Sequence, residues 1–156
     1  ASVGDYDLVQ KALTAEGLAL SFWKVAMRPG RPLMHGRLGD MHVLGVPGNP
    51  VSAFVCALLY LVPLIRRLSG RSDTHAAPES AVLGIDLPAN DERADYLRSA
   101  LARTPDGILV ASPFPTQDSS MIAALAKADC LVIREPYASL AKAGSACAIL
   151  KLKSPL

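Results

Sequence analysis

Over residues 45 to 70 the pattern of the chain changes within a few positions. A tight turn, GVPGNP, gives way to the run VSAFVCALLYLVPLI, which is apolar nearly all round. Such a run predicts a buried helix rather than a surface one with a single apolar stripe. Asn49 is placed to cap it, and Pro50 falls at the first helical position, where its missing N–H costs nothing. Pro63 should kink the helix, Arg66 and Arg67 suit its C-terminal dipole, and Gly70 should end it. Upstream, DYDLVQKALTAEG sets Leu8, Val9, Ala12 and Leu13 on one face of a short helix, with Asp5 or Asp7 as cap and Gly17 at its end. LALSFWKVAM reads as one strand, RPGRP as a stiff turn, and LMHGRL with MHVLGV as a hairpin around Gly39 and Asp40.

After the polar break RSDTHAAPES the pattern becomes that of short strands: AVLGIDL, DYLRSALAR, GILVASP, CLVIRE and ACAILKL. One helix, SSMIAALAKA, interrupts them, with Asp118 or Ser119 expected as its cap. The expected fold class is therefore α/β over residues 1–72, followed by a small β-rich, barrel-like domain over 73–156. The first part is too short for a complete layered α/β domain. Its remaining strands are expected from chain upstream of Ala1 or from a partner.

Composition narrows the function. Of 156 residues, 51% are apolar and 19% charged, which is globular rather than disordered. A net charge of +2 and only 5% aromatics give neither a basic face nor stacking platforms, so no nucleic-acid partner is expected. Cys56, Cys130 and Cys147 are odd in number and lie in apolar runs without zinc-ligand spacing. They read as free thiols of a reducing, cytoplasmic compartment. The long apolar run falls short of a membrane span and contains Pro63, so no membrane association is expected.

Four stretches can carry chemistry. The turn PGNPVS aims the free N–H groups of a helix start at whatever lies above it, with Ser52 in the first turn, and the dipole there favours an anion. The same turn is also good strand-to-helix punctuation. SVGDYD combines close backbone approach at Ser2 and Gly4 with two carboxylates, Asp5 and Asp7. Carboxylates beside an anion site suit Mg²⁺, although one of them is expected only to cap a helix. In KVAMRPGRP, Lys24, Arg28 and Arg31 sit on a strand end and a proline-stiffened turn, and the arginines can fork onto an oxyanion. Arg98 is either an edge residue or an inward-pointing anion ligand, and Ser119 and Ser120 either cap a helix or offer donors. His35, His42 and His75 lack both helical spacing and carboxylate partners and read as surface or hairpin residues.

Taken together, SVGDYD, FWKVAMRPGRP, GVPGNPVSAF and PLIRRLSG resemble, in order and spacing, the molybdopterin molybdotransferases, which include the bacterial MoeA proteins and the gephyrin E domain. The resemblance is strong to Gly70 and looser beyond. It implies that residues 1–72 are the second half of a three-layer molybdopterin-binding domain, and 73–156 a C-terminal β-barrel-like domain. It also implies insertion of molybdate into adenylated molybdopterin with release of AMP, Mg²⁺ as cofactor, and a homodimer. The molybdopterin adenylyltransferase is a further partner on this reading.

By position, Ser2, Gly4 and Asp7 would line the pterin and metal site, and Pro47, Gly48, Asn49, Pro50 and Ser52 would shape the pterin pocket. Lys24, Arg28 and Arg31 match the family's basic positions near the oxyanion, and Arg98 and Ser120 match positions associated with molybdate. Arg28 and Arg31 stand where the family usually has lysine. An adenylyltransferase-like enzyme and a non-catalytic scaffold are the competing readings. The isolated segment is expected to be inactive.

Overall fold

The structure, a computed structural model, describes residues 8–152. The chain divides into two units, Ala1–His75 and Ala76–Leu156. In the first, helix α1 (Leu8–Ala15) stops where Gly17, at φ 95°, lets the chain turn back, and the Leu18 N–H donates to the Leu13 carbonyl at 2.9 Å. Strands β1 (Ala19–Trp23), β3 (Met34–Leu38) and β4 (Met41–Gly45) form an antiparallel sheet in the order β1-β3-β4, and β2 (Met27–Arg28) is a two-residue strand. The hairpin closes at Leu38 opposite Met41, with Gly39 at φ 58° in the turn.

The single strand expected over residues 18–27 is broken. Lys24 takes φ 69°, outside the β region, and the chain folds into a loop held by Lys24 N–H to Leu33 O at 3.0 Å and Val25 N–H to Arg31 O at 2.9 Å.

Asn49 and Pro50 do what their order predicts. The Asn49 side chain accepts from the Val51 N–H at 3.2 Å, and helix α2 (Pro50–Cys56) starts there. A π-helical turn (Ala57–Leu61) joins it to α3 (Val62–Leu68). The wide turn ends just before Pro63, whose ring would otherwise press on the carbonyl of Leu59. Gly70, at φ 78°, closes α3.

Two expectations for this helix fail. It is not buried all round: Val51, Ser52, Val55, Cys56 and Pro63 are inside, whereas Phe54, Ile65 and Leu68 are 43%, 53% and 62% exposed. It is also continuous over 19 residues with a mean hydropathy of 1.8, long and apolar enough by those measures to cross a bilayer. The core helix of a water-soluble protein has the same properties.

The second unit runs β5 (Glu79–Leu83), β6 (Ala94–Arg103), β7 (Leu109–Pro113), α4 (Ile122–Lys127), β8 (Cys130–Arg134) and β9 (Ala146–Lys151). The strands lie in the order β6-β7-β5-β9-β8, and β6 also pairs with β8 from Asp95↔Arg134 to Ser99↔Cys130, which closes a five-stranded barrel. Only β5–β7 is parallel among these pairs. Inward positions alternate along the strands and gather Ala81, Leu83, Leu87, Ala111, Cys130, Val132 and Ile149 into one core.

Candidate substrate site

Ser2, Gly4 and Asp7 lie outside the described residues. The remaining candidates of the first unit fall on two features, the 24–31 loop and the start of α2. Gly30 ties the loop to the far end of α2, at Cys56. At φ 119° it packs so closely that a Cβ there would meet the Cys56 Sγ at 2.7 Å, and that thiol donates to the Gly30 carbonyl at 3.7 Å. Arg28 and Arg31 are exposed on this loop. The Lys24 ammonium lies 4.3 Å from the centre of the Trp23 ring, a cation–π contact, and Lys24 lines a cavity of about 380 Å³ with Phe22, Val25, Ala26 and Tyr60. Tyr60 belongs to the π-helical turn. At the helix start, Pro47 is buried, Gly48 and Pro50 are exposed, Asn49 is half-buried, and Ser52 is only 6% exposed.

The second-unit candidates meet around one residue, Asp118. Arg98 sits mid-strand in β6 opposite Leu131 of β8, and its backbone N–H and carbonyl bond Gln117 and Phe114 just before the β6–β7 pairing begins at Ser99. It is 1% exposed, yet among the described residues it forms no ion pair. Its Nη1 donates to the Asp118 carbonyl at 2.7 Å and its Nε to Gln117 Oε1 at 3.3 Å. No described residue partners Nη2, and among the described residues no buried side-chain nitrogen or oxygen is left unpaired, so this nitrogen keeps the residue's small contact with solvent. Burial holds the Arg98 pKa below its usual value, while the Asp118 charge opposes that shift.

Ser120 does not cap α4, and neither does Asp118 or Ser119. The residue before the helix is Met121, with no side-chain hydrogen bond. Instead the Asp118 carboxylate accepts from the Ser120 N–H at 2.8 Å, which forms a turn one step upstream. That N–H first, then the Ser120 hydroxyl, and the Arg98 charge hold the Asp118 carboxyl below the usual carboxylate range. Arg98 and Ser120 thus share Asp118, although 22 positions separate them in sequence. A cavity of about 270 Å³, lined by Phe114, Met121 and Lys127 among others, opens on the same loop.

A buried guanidinium that makes no ion pair and keeps one nitrogen, Nη2, without a protein partner has the chemistry of an oxyanion contact. Comparison with known proteins gives this arrangement a family. Residues 1–67 match the model of a probable molybdopterin binding domain, and residues 80–152 match the MoeA C-terminal region, its domain IV. The chain belongs to the MoeA family. It is 31% identical over 149 residues to a molybdopterin molybdenumtransferase of Haemophilus influenzae, covering 95% of this chain and 37% of that protein. It is 32% identical over 149 residues to the molybdenum cofactor synthesis protein cinnamon of Drosophila melanogaster, covering 92% of this chain and 24% of that one. A crystal structure of a molybdopterin biosynthesis MoeA protein from Pyrococcus horikoshii superposes with a TM-score of 0.74 at 23% identity, over 93% of this chain and 35% of that one. The chain therefore spans about a third of the length of these MoeA proteins.

Sequence reasoning missed Gln117, Tyr60 and the pairing of His35 with His42. The two imidazoles stack across β3 and β4 with Nε2 of His35 3.1 Å from Nδ1 of His42. Burial, His42 and Arg37 together lower the His35 pKa. The hairpin reading placed both histidines on neighbouring strands, but not their diagonal contact.

Proposed function

We propose that this chain is the C-terminal part of a cytoplasmic molybdopterin molybdotransferase, which inserts molybdate into adenylated molybdopterin and releases AMP. The observation that carries the reading is the unpaired, buried Arg98 guanidinium joined to Ser120 through Asp118. It offers a site for one tetrahedral oxyanion. The relatives named molybdopterin molybdenumtransferase, aligned over the same stretch, support it.

In this reading Lys24, Arg28 and Arg31 hold the phosphates of the adenylated pterin, and residues 47–50 with Ser52, Ser2 and Gly4 wall the pterin. Arg98 and Ser120 hold molybdate. A molybdate oxygen attacks the adenylyl phosphorus and the anhydride P–O bond to the pterin phosphate breaks; the Mo–O bond to the attacking oxygen then breaks, so that this oxygen leaves with AMP while the two dithiolene sulfurs bind molybdenum. Positioning and charge stabilisation by these residues supply the catalysis. Mg²⁺ belongs to the proposal through Asp7. Among the described residues, which do not include Asp7, no group of three or more His, Cys, Asp or Glu could hold a metal ion. A homodimer and a docking adenylyltransferase complete the reading.

The test uses the full-length gene product, adenylated molybdopterin and Mg²⁺, with AMP quantified with and without molybdate. Molybdate-dependent release is the expected outcome, lost in Asp7→Ala and Arg28→Ala. Pterin that stays adenylated in the presence of molybdate would overturn the transferase reading in favour of a binding or scaffold role.

A further inference from the structure

Three of the four bonds of the Gln117 side chain go to Arg98. Its Oε1 accepts from both the Arg98 backbone N–H, at 3.0 Å, and the Arg98 Nε, at 3.3 Å. Its Nε2 donates to the Arg98 carbonyl at 3.0 Å and to the Phe114 carbonyl at 2.9 Å. One amide thus reads the main chain of residue 98 in both directions and also grips its guanidinium. A carboxamide alone can do this, since the contacts need two acceptor directions and two N–H donors on one planar group. The effect on Arg98 is orientation. With Nε fixed by Gln117 and Nη1 by the next residue's carbonyl, rotation about the last side-chain bonds is blocked, and Nη2 is the donor left over.

We propose that Gln117 is a positioning residue for oxyanion binding: it fixes the Arg98 guanidinium so that Nη2 is held ready for the anion. This rests on the reading of Arg98 and Ser120 as the molybdate site. Gln117 does not touch the anion. It removes the freedom that an arginine side chain would otherwise lose on binding.

Gln117→Glu tests the proposal. The carboxylate still accepts from the Arg98 N–H and Nε, and it pairs the buried cation, so the fold is retained. It neutralises the charge meant for the anion and loses both donated bonds. Gln117→Leu removes every contact. Molybdate binding to the full-length protein is measured by equilibrium dialysis with metal analysis, and thermal unfolding is followed in parallel. Expected is a loss of molybdate affinity of about tenfold or more in Gln117→Glu with the melting temperature held near the wild type, and a larger loss with lowered melting temperature in Gln117→Leu. Wild-type affinity in a folded Gln117→Leu protein would overturn the positioning role while leaving the molybdate site standing, and wild-type affinity in Gln117→Glu would overturn the placing of the anion at Arg98 and this role with it. A wild-type protein that retains no molybdate would overturn the site itself and this role with it.

Discussion

The two units of this chain solve the problem of apolar surface in opposite ways. The barrel turns its strands inward on themselves, and Leu83, Ala111, Cys130, Val132 and Ile149 are at most 2% exposed. The first unit leaves large side chains in the open on every kind of element: Leu8 on α1, Phe22 and Trp23 on β1, and Phe54, Ile65 and Leu68 along the long helix. A barrel closed by β6 and β8 needs no neighbour to finish its core. An open three-stranded sheet with one partly covered helix does, and the MoeA relatives are about three times as long as this chain. The difference teaches that composition alone does not say where a sheet is closed. Both halves bury a core (Leu33, Met34, Val51 and Val55 in the first) and both expose large side chains, Ile108, Ile122 and Leu140 in the second, but only the second closes its strands on themselves.

The largest expected effect breaks the closed side. Leu83→Ala, at a 2% exposed position of the barrel core, should destabilise by about 2–5 kcal/mol. Phe54→Ala on the open helix should cost well under about 1 kcal/mol, since that ring already contacts solvent. Denaturant unfolding of both variants measures the contrast, and equal losses would mean that the helix face is covered in solution.

An intermediate effect sits where the first unit is tightest. Gly30→Ala combines φ 119° with a Cβ 2.7 Å from the Cys56 sulfur, and should cost about 1–3 kcal/mol. A folded variant should bind phosphate-bearing ligands more weakly, because the loop that carries Arg28 and Arg31 must shift. Unchanged stability would show that the loop is free to move away from α2.

The smallest effect concerns the thiols. Burial raises the Cys56 pKa to about 11 and that of Cys130 to about 12, and it raises Cys147 less. Raised folded-state values mean that the unfolded chain gives up these protons first. The stabilisation is full below the unfolded value near pH 9 and is lost progressively as pH climbs from about 9 toward about 12. Melting temperatures across that range should fall, and by less in a Cys56→Ala, Cys130→Ala double variant. With a thiol reagent at pH 8, half-buried Cys147 should react before the buried pair.

Local grammar made much of the fold legible. Strand alternation placed the five barrel strands, Asn49 before Pro50 placed a helix start, and the hairpin at Gly39 followed from its flanking strands. What escaped notice depends on distant neighbours. The strand break at Lys24 comes from bonds to Leu33 and from the loop that Arg31 closes, and neither shows in the run FWKV. Asp118 looked like a cap because it precedes a helix; its carboxylate serves the turn at Ser120 instead. For the site, charge and spacing picked out Arg98 and Ser120, yet nothing in TQDSS marks Gln117, whose four bonds reach back 19 residues or to the carbonyl of Phe114.

The π-helical turn ahead of Pro63 has a consequence at the level of the gene. A turn that holds one residue more than its neighbours is what a single-codon insertion leaves behind when both ends of a helix are already anchored. Here the N-terminal end is anchored by the Asn49 cap and by Cys56 against Gly30, and the C-terminal end by Gly70. Deleting one residue between Ala57 and Leu61 would restore regular α geometry between the same two anchored ends, but it would press the proline ring onto the carbonyl of the preceding turn. Residues 57–61 therefore act as a length adjuster: Tyr60 and the cavity it lines owe their position to the extra residue as much as to any side chain.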